Sequence, residues 1–244
     1  MDIEKVYGEW IDFKNQDYKK ARIGFEDWFS ASSAGRCYKH QIYKINNAPE
    51  KPMEERSKRI LRLGTLVHKD FEQAMKHYIK TRDDTSEFEF LIEHEIKIDK
   101  YKILGHLDLA IIDKENNKIT VHDYKTSASY KWSLKFGRKT DKKPSFNYEM
   151  QLSTYAIGME NILDNGDINM SIIWYNKDTS RMREEVIAES FIEVANNYWS
   201  DLSDIRNDIG NGTDPNDFLS RDKDIGVPFQ PWECRYCPYE HTCR

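Results

Sequence analysis

The sequence predicts an α/β fold in which helices flank a central mixed β-sheet. Three observations carry this expectation. Residues 54–80 repeat apolar side chains at helical spacing, three β-rich stretches follow at 88–98, 103–112 and 118–125, and helical periodicity returns over 147–163. At 244 residues the chain exceeds a typical domain of about 100–200 residues without demanding two independent cores. One compact domain with appended segments is therefore expected.

Taken in order, residues 30–45 suggest a short helix, because Ser32 or Ser33 can cap the free amides at its start. Cys37 would then lie within about two turns of the cap. Over 54–80 the apolar positions Ile60, Leu63, Val67, Phe71, Ala74, Met75 and Tyr78 mark one helix, and Gly64, His68 and Glu72 line one side of it. The β-rich stretches are parted by polar turns at Asp99-Lys100 and from Asp113 to Asn117, which argues for an antiparallel meander. A strand at Ser171 to Tyr175 and a helix at 189–208 follow. An Asn/Gly/Asp/Pro-rich stretch at 209–230 then leads into a cysteine-bearing tail.

Hydrophobic residues make up 39% of the chain and charged residues 32%, which excludes a disordered protein. No run of about 18 apolar residues occurs, and MDIEKVYGEWIDFKNQ lacks the layout of a signal peptide, so an intracellular, cytoplasmic protein is expected, away from membranes. A net charge of −5 excludes a generic polyanion binder. Nucleic-acid contact would need a local basic surface. One candidate is 131–143, where Lys131, Lys135, Arg138, Lys139, Lys142 and Lys143 are interleaved with Trp132 and Phe136. A phosphate loop of the form G-x-x-x-x-G-K-[ST] is absent, so no NTP-driven motor is expected.

The chemistry concentrates in Gly105-His106-Leu107-Asp108 and His122-Asp123-Tyr124-Lys125. The midpoint of Asp108 and Asp123 is 115.5, inside the turn. A hairpin folded about that point would set the two carboxylates about 5 Å apart at their roots. Lys125 would share the face of Asp123. Two close carboxylates repel unless a cation lies between them, and Mg²⁺ or Mn²⁺ prefer oxygen ligands. An isolated D-x-K tripeptide is a weak pattern, but here both acids are embedded in apolar β sequence, where charge is costly without partners.

Gly105-x-x-Asp108 followed by Asp123-x-Lys125 resembles the core of the PD-(D/E)XK nucleases, which is restriction-endonuclease-like. Gly64-x-x-x-His68-x-x-x-Glu72 upstream and Gln151-x-x-x-Tyr155 downstream make the chain similar to the RecB-like exonuclease group. The resemblance places the nuclease core at 54–175 and implies hydrolysis of DNA phosphodiester bonds by a metal-activated water. It implies a Mg²⁺ or Mn²⁺ site at His68, Asp108, Asp123 and Tyr124, with Glu72 in support. Catalytic roles fall to Asp108, Asp123 and Lys125, while Gln151 and Tyr155 position phosphate or water. The implied partners are single-stranded DNA or duplex ends, and a separate helicase or recombinase subunit. Two departures stand out: many relatives carry Glu where this chain has Asp123, and 130–146 resembles a family-variable insertion.

Three of the four cysteines, Cys234, Cys237 and Cys243, fall in the last eleven residues, and Cys37 stands alone near the start. Four thiolates suffice for tetrahedral zinc or a cubane cluster, and spacing alone does not separate these. A lone upstream cysteine joined to a terminal trio resembles the iron–sulfur RecB-like nucleases, including AddB-type nuclease domains and the CRISPR-associated adaptation exonucleases. That resemblance implies a structural [4Fe-4S] cluster stapling 30–45 to 231–244, with Zn²⁺ as the alternative. Two rival classes remain open from sequence: a catalytically weak DNA-binding or recombination or replication accessory protein, and a zinc-stapled RNA-processing nuclease.

Overall fold

A computed structural model describes residues 2–20, 23–82, 85–137, 145–160, 162, 166–209 and 214–243, without the side chains of 17–20. The elements in chain order are α1 (Ile3–Lys20), β1 (Phe29–Ser30), α2 (Tyr38–Ile45), α3 (Glu55–Thr81), β2 (Phe88–Ile98), β3 (Ile103–Asp113) and β4 (Lys118–Ser127). After these come α4 (Ser129–Phe136), α5 (Phe146–Met159), β5 (Asp167–Asn176), β6 (Met182–Ile187), α6 (Ser190–Ile209) and α7 (Pro215–Phe218). Two compact units result. The first comprises Met1–Phe29, Arg36–Leu66 and Leu202–Arg244, and the second Ser30–Gly35 and Val67–Asp201.

In the second unit, β2, β3 and β4 form the expected antiparallel meander. The first turn closes on Lys102, which adopts a left-handed φ of 52°. In the second turn the Asp113 carboxylate accepts from Asn116 N at 3.0 Å and Asn116 Nδ2 at 2.7 Å. Such a side-chain cap over the backbone is what Asp and Asn supply in turns. β5 runs parallel to β4, and β6 pairs antiparallel with β5, so the sheet is mixed. A parallel neighbour requires a crossover, and α4 and α5 supply it. α5 packs against β2, β3, β4 and β5. Met150, Leu152, Ala156 and Met159 on this helix have no solvent exposure. α6 closes on α5 through Trp199, whose Nε1 donates to Thr154 Oγ1 at 2.8 Å.

In the first unit, α2 is clasped by the tail. Tyr239 lies between the rings of His40 and Tyr43, with centroids at 5.3 and 5.5 Å. Its hydroxyl donates to Glu50 Oε1 at 2.6 Å. Lys39 Nζ donates to Asn216 Oδ1 at 3.0 Å, and Lys51 N donates to Pro238 O at 2.9 Å. α1 meets the start of α3 through Lys58, which bridges Asp12 and Glu55.

Several expectations need correction. Residues 30–45 are not one helix: Ala31–Ser33 is a 3₁₀ turn, Gly35 has φ +71°, and α2 begins at Tyr38 with Cys37 at its N-cap. Ser33 Oγ donates back to Ser30 O at 2.7 Å rather than capping α2. The helix expected over 147–163 ends at Met159. Part of the basic stretch is helix α4, while Arg138, Lys139, Lys142 and Lys143 lie outside the described residues. The periodicity of 54–80 gave the right helix, yet none of its residues is buried, and Ile60 and Leu63 stay exposed. Among the described residues, no helix is long and apolar enough to cross a membrane.

Gly105 shows how tightly the sheet is packed beside the acids. A Cβ there would come within 2.5 Å of Ala31 Cβ and 3.1 Å of Tyr155 Cε1. Ala31 has no rotamer through which to yield, so the backbone would have to shift. Gly105→Ala should destabilise the fold by about 1–3 kcal/mol, the usual range for overpacking. The measurement is a lower urea midpoint at unchanged m; an unaltered midpoint would contradict the contact.

Candidate active site

Alternation along β4 sets Ile119, Val121, Asp123 and Lys125 on one face, and Asp123 is fully buried there. The β3–β4 pairs from Leu109↔His122 to Asp113↔Lys118 share the midpoint 115.5 inferred from sequence. Pairing stops at Leu109↔His122, so Asp108 and Asp123 occupy the next rung, where the strands part. The Tyr124 amide donates instead to Asp108 Oδ2 at 2.6 Å.

Each acid has its own nitrogen partner. Asp108 Oδ1 lies 3.3 Å from His68 Nδ1, brought in by α3. Asp123 Oδ2 lies 2.5 Å from Lys125 Nζ. That contact is an ion pair without hydrogen-bond alignment, which leaves a buried carboxylate oxygen with no hydrogen bond. Asp123 Oδ1 accepts from Gln151 Nε2 at 3.2 Å, and the same nitrogen donates to Tyr155 OH at 2.9 Å. α5 thus delivers Gln151 and Tyr155 from one turn of helix.

The protonation states follow from burial and charge. Burial, with help from the Asp108 charge, pushes Asp123 up to about 6 despite Lys125. Burial also acts to raise Asp108, but the hydrogen bond and charge of His68 outweigh it and hold this carboxyl below its usual range. For His68 and Lys125 burial acts downward, and their acidic neighbours reverse it, so both are raised. Burial and the nearby carboxylates keep Tyr155 protonated. Burial likewise pushes the Tyr124 phenol up to about 12, and its ring stacks on Phe71 at 4.5 Å. The arrangement alternates two carboxyls with an imidazole and an ammonium.

Glu72 is not among these contacts. It lies one turn beyond His68 and pairs with Lys76 at 2.5 Å. Sequence reasoning missed two neighbours. Glu93 on β2 stands across from Asp108, between the pairs Ile92↔Leu109 and His94↔Leu107, with a left-handed φ of 50°. Burial, with the charges of Asp108 and Glu72, raises its carboxyl. Reflecting Asp108 through the preceding turn would have found it. Tyr148 is the other: Lys125 Nζ sits 5.1 Å from its ring centroid. It lies one turn upstream of Gln151, on the stripe already identified.

The donor set of two carboxylates and an imidazole, with a buried carboxylate oxygen lacking a hydrogen bond, suits a hard divalent cation. Among the described residues, no three His, Cys, Asp or Glu side chains already converge in a geometry that could hold a metal ion. The same holds for the thiols of the first unit. There Cys37 N donates to Glu233 Oε2 at 2.8 Å, and Cys237 Sγ lies 3.5 Å from His40 Nδ1. Burial, joined by the charges of Glu233 and Cys243, pushes Cys37 up to about 12. Burial also raises Cys237, with Cys243 and Cys234 adding to the effect. All four cysteines are free and half-buried.

The basic stretch behaves differently from expectation at Lys135. Its ammonium pairs with Glu185 at 2.8 Å and bonds Ser145 Oγ at 2.9 Å, so it anchors α4 instead of standing ready for phosphate.

Among the solved structures compared, one reaches the similarity that supports this architecture. The crystal structure of SSO0001 is similar in fold, with a TM-score of 0.50 and 18% identity over 98% of this chain and 96% of that one. A provisionally named exonuclease from Eubacterium rectale shares 13% identity over 85% of this chain and 96% of its own, at a TM-score of 0.47. No curated protein matches the sequence. The profile of the PD-(D/E)XK nuclease superfamily matches residues 64–244, a span that holds His68, both acids, Lys125, Gln151 and Tyr155, and the chain belongs to that superfamily.

Proposed function

We propose that the chain is a metal-dependent deoxyribonuclease of the RecB-like kind, working as an exonuclease, with a structural [4Fe-4S] cluster on Cys37, Cys234, Cys237 and Cys243. The observation that carries this reading is the meeting of Asp108, Asp123, Lys125 and His68 where β3 and β4 part. Asp108, Asp123 and His68 would hold Mg²⁺ or Mn²⁺, with Tyr124 beside them, and such an ion acidifies an attacking water and neutralises charge on the phosphate.

The remaining roles belong to the protein. Lys125 Nζ keeps its proton and offers it as a hydrogen bond to an oxygen where negative charge develops. Tyr155 accepts from Gln151 and so has its own hydroxyl proton free for water or phosphate. Gln151 fixes the rotamer of Asp123. Glu72 acts at most through its charge, since Lys76 holds it.

For the thiols, mutual repulsion and burial make the anionic state costly unless a cationic centre neutralises it. A zinc ion is the second reading, because His40 stands beside Cys237 and imidazole is an ordinary zinc ligand. A reducing, cytoplasmic compartment and a separate helicase or recombinase partner complete the proposal.

Two outcomes are expected. Asp108→Asn should lower cleavage of end-labelled DNA in Mn²⁺ by at least about 100-fold while leaving the melting temperature near that of the parent. Lys125→Met should lose cleavage and also about 3–5 kcal/mol of stability, because the buried Asp123 loses its cation. Undiminished cleavage by Asp108→Asn would overturn the active-site assignment, and equal digestion of closed circular and linear DNA would remove the exonuclease reading.

Protein purified without oxygen should absorb broadly near roughly 400 nm and carry iron with labile sulfide. Cys37→Ser should lose iron and stability together, since a centre that binds the folded state adds to folding free energy. Stoichiometric zinc without iron would replace the cluster by the second reading.

A further inference from the structure

Helix α1 carries apolar side chains on two opposite faces. Gly8 and Ile11 are buried, and a Cβ at Gly8 would come within 2.7 Å of Glu55 Oε2 at the start of α3, so this is the face that packs onto the first unit. Asp12 joins it through Lys58. Ile3, Val6, Tyr7, Trp10 and Phe13 recur at helical spacing on the far side and are between 40% and 67% exposed. A surface helix ordinarily turns charged and polar residues to that side. Trp10 and Phe13 stack at 5.7 Å, and Lys14 lies over the Trp10 ring at 5.6 Å, so the stripe is one continuous surface. α1 precedes the span shared with the nuclease superfamily and holds none of the site residues, so the hydrolytic chemistry gives no account of it.

We propose that this stripe is a two-fold interface between two copies of the chain, with their α1 helices packed antiparallel. Spacing, charge and area each argue for that occupant. Ile3, Val6, Trp10 and Phe13 follow one another at intervals of three, four and three, the spacing of a seam between paired helices. Ile3 with Phe13 and Val6 with Trp10 share a midpoint at position 8, so a two-fold axis at that height sets each residue against its mate on the other helix. Residues 2–9 carry Asp2, Glu4 and Glu9 against Lys5, whereas 14–20 carry Lys14, Lys19 and Lys20 against Asp17. Antiparallel helices therefore bring acidic end to basic end and oppose their dipoles, while parallel helices would set like against like. The five exposed side chains leave on the order of 500 Å² bare on each copy, toward the upper end of the largest patch on a monomer. Pairing them removes about 1,000 Å², the area that a specific interface has to clear. A membrane surface fits less well, because helices that lie on one back their apolar face with Lys and Arg, and here the first half of the helix is acidic.

The test is sedimentation velocity of the full chain from about 1 to 100 µM, a range suited to an interface of this size, with a melting curve for every variant. Parent protein should sediment as a dimer at the upper end and dissociate on dilution. Trp10→Glu should weaken dimerisation by at least about 30-fold, the scale of losing a central aromatic anchor, and should melt like the dilute parent because Trp10 faces away from the core. Phe13→Glu serves if Trp10→Glu is unstable. Glu4→Lys with Glu9→Lys should also weaken the dimer, and adding Lys19→Glu with Lys20→Glu should restore it, a rescue that antiparallel pairing gives and parallel pairing does not. A parent that stays monomeric at the highest concentration, a folded Trp10→Glu that dimerises like the parent, or assembly beyond two copies overturns the proposal. So does charge reversal that has no effect or is not rescued. A monomeric parent that sediments with phosphatidylglycerol vesicles assigns the stripe to a membrane and overturns it as well. None of these outcomes involves DNA cleavage, so the nuclease reading stands or falls separately.

Discussion

A carboxylate with no access to solvent governs this site. Asp123 is fully buried on the apolar face of β4, where a lone charge is prohibitively costly. Its neighbours answer that cost one by one. Lys125 supplies a cation, Gln151 a hydrogen bond, and Asp108 a second anion that is itself held by His68 and the Tyr124 amide. Gln151 reaches Asp123 only because α5 is apolar enough to lie across the sheet. The crossover helix and the chemistry are therefore one constraint.

Much of this was legible in sequence because β geometry is periodic. The midpoint of Asp108 and Asp123 anticipated the register of β3 and β4, and the spacing of Asp123 and Lys125 anticipated their shared face. Residues whose role depends on a second hairpin or on helix packing were harder to find. Glu93 becomes a neighbour of Asp108 only once β2 is registered on β3. Tyr148 becomes a neighbour of Lys125 only once α5 is docked. Gly35, with its positive φ, divides the segment that reads as one helix and moves Cys37 to an N-cap. β6 escaped notice because Met-Arg-Glu-Glu-Val-Ile is mostly solvent-facing, and charge on an edge strand guards it from pairing with other chains. α4 was obscured by its basic composition, although Lys135 turns out to be an internal anchor.

The thiol site obeys a different logic from the carboxylate site. Burial raises Asp123 against the opposing charge of Lys125, whereas burial raises Cys37 together with the charges of Glu233 and Cys243, and Cys237 together with those of Cys243 and Cys234. His40, which burial lowers to about 3, contributes no positive charge to offset them. Around the tail, the ring contacts of Tyr239 and the Glu50, Asn216 and Pro238 bonds hold the segments together without any thiol. A centre bound by the cysteines would add to this framework rather than create it.

The choice of Asp at position 123 sharpens the argument. A Glu at this position would reach one methylene further from the strand. With Asp, the carboxylate remains close to β4, within 2.5 Å of Lys125 Nζ and 3.2 Å of Gln151 Nε2. A longer side chain would have to enter the space where Gln151 meets Tyr155. The shorter acid thus leaves Gln151 free to bond two partners at once, joining the carboxylate to a phenol that burial keeps protonated. Position, rotamer and protonation at the site are then set by the same helix turn. A change in any one of Asp123, Gln151 or Tyr155 is felt by the other two.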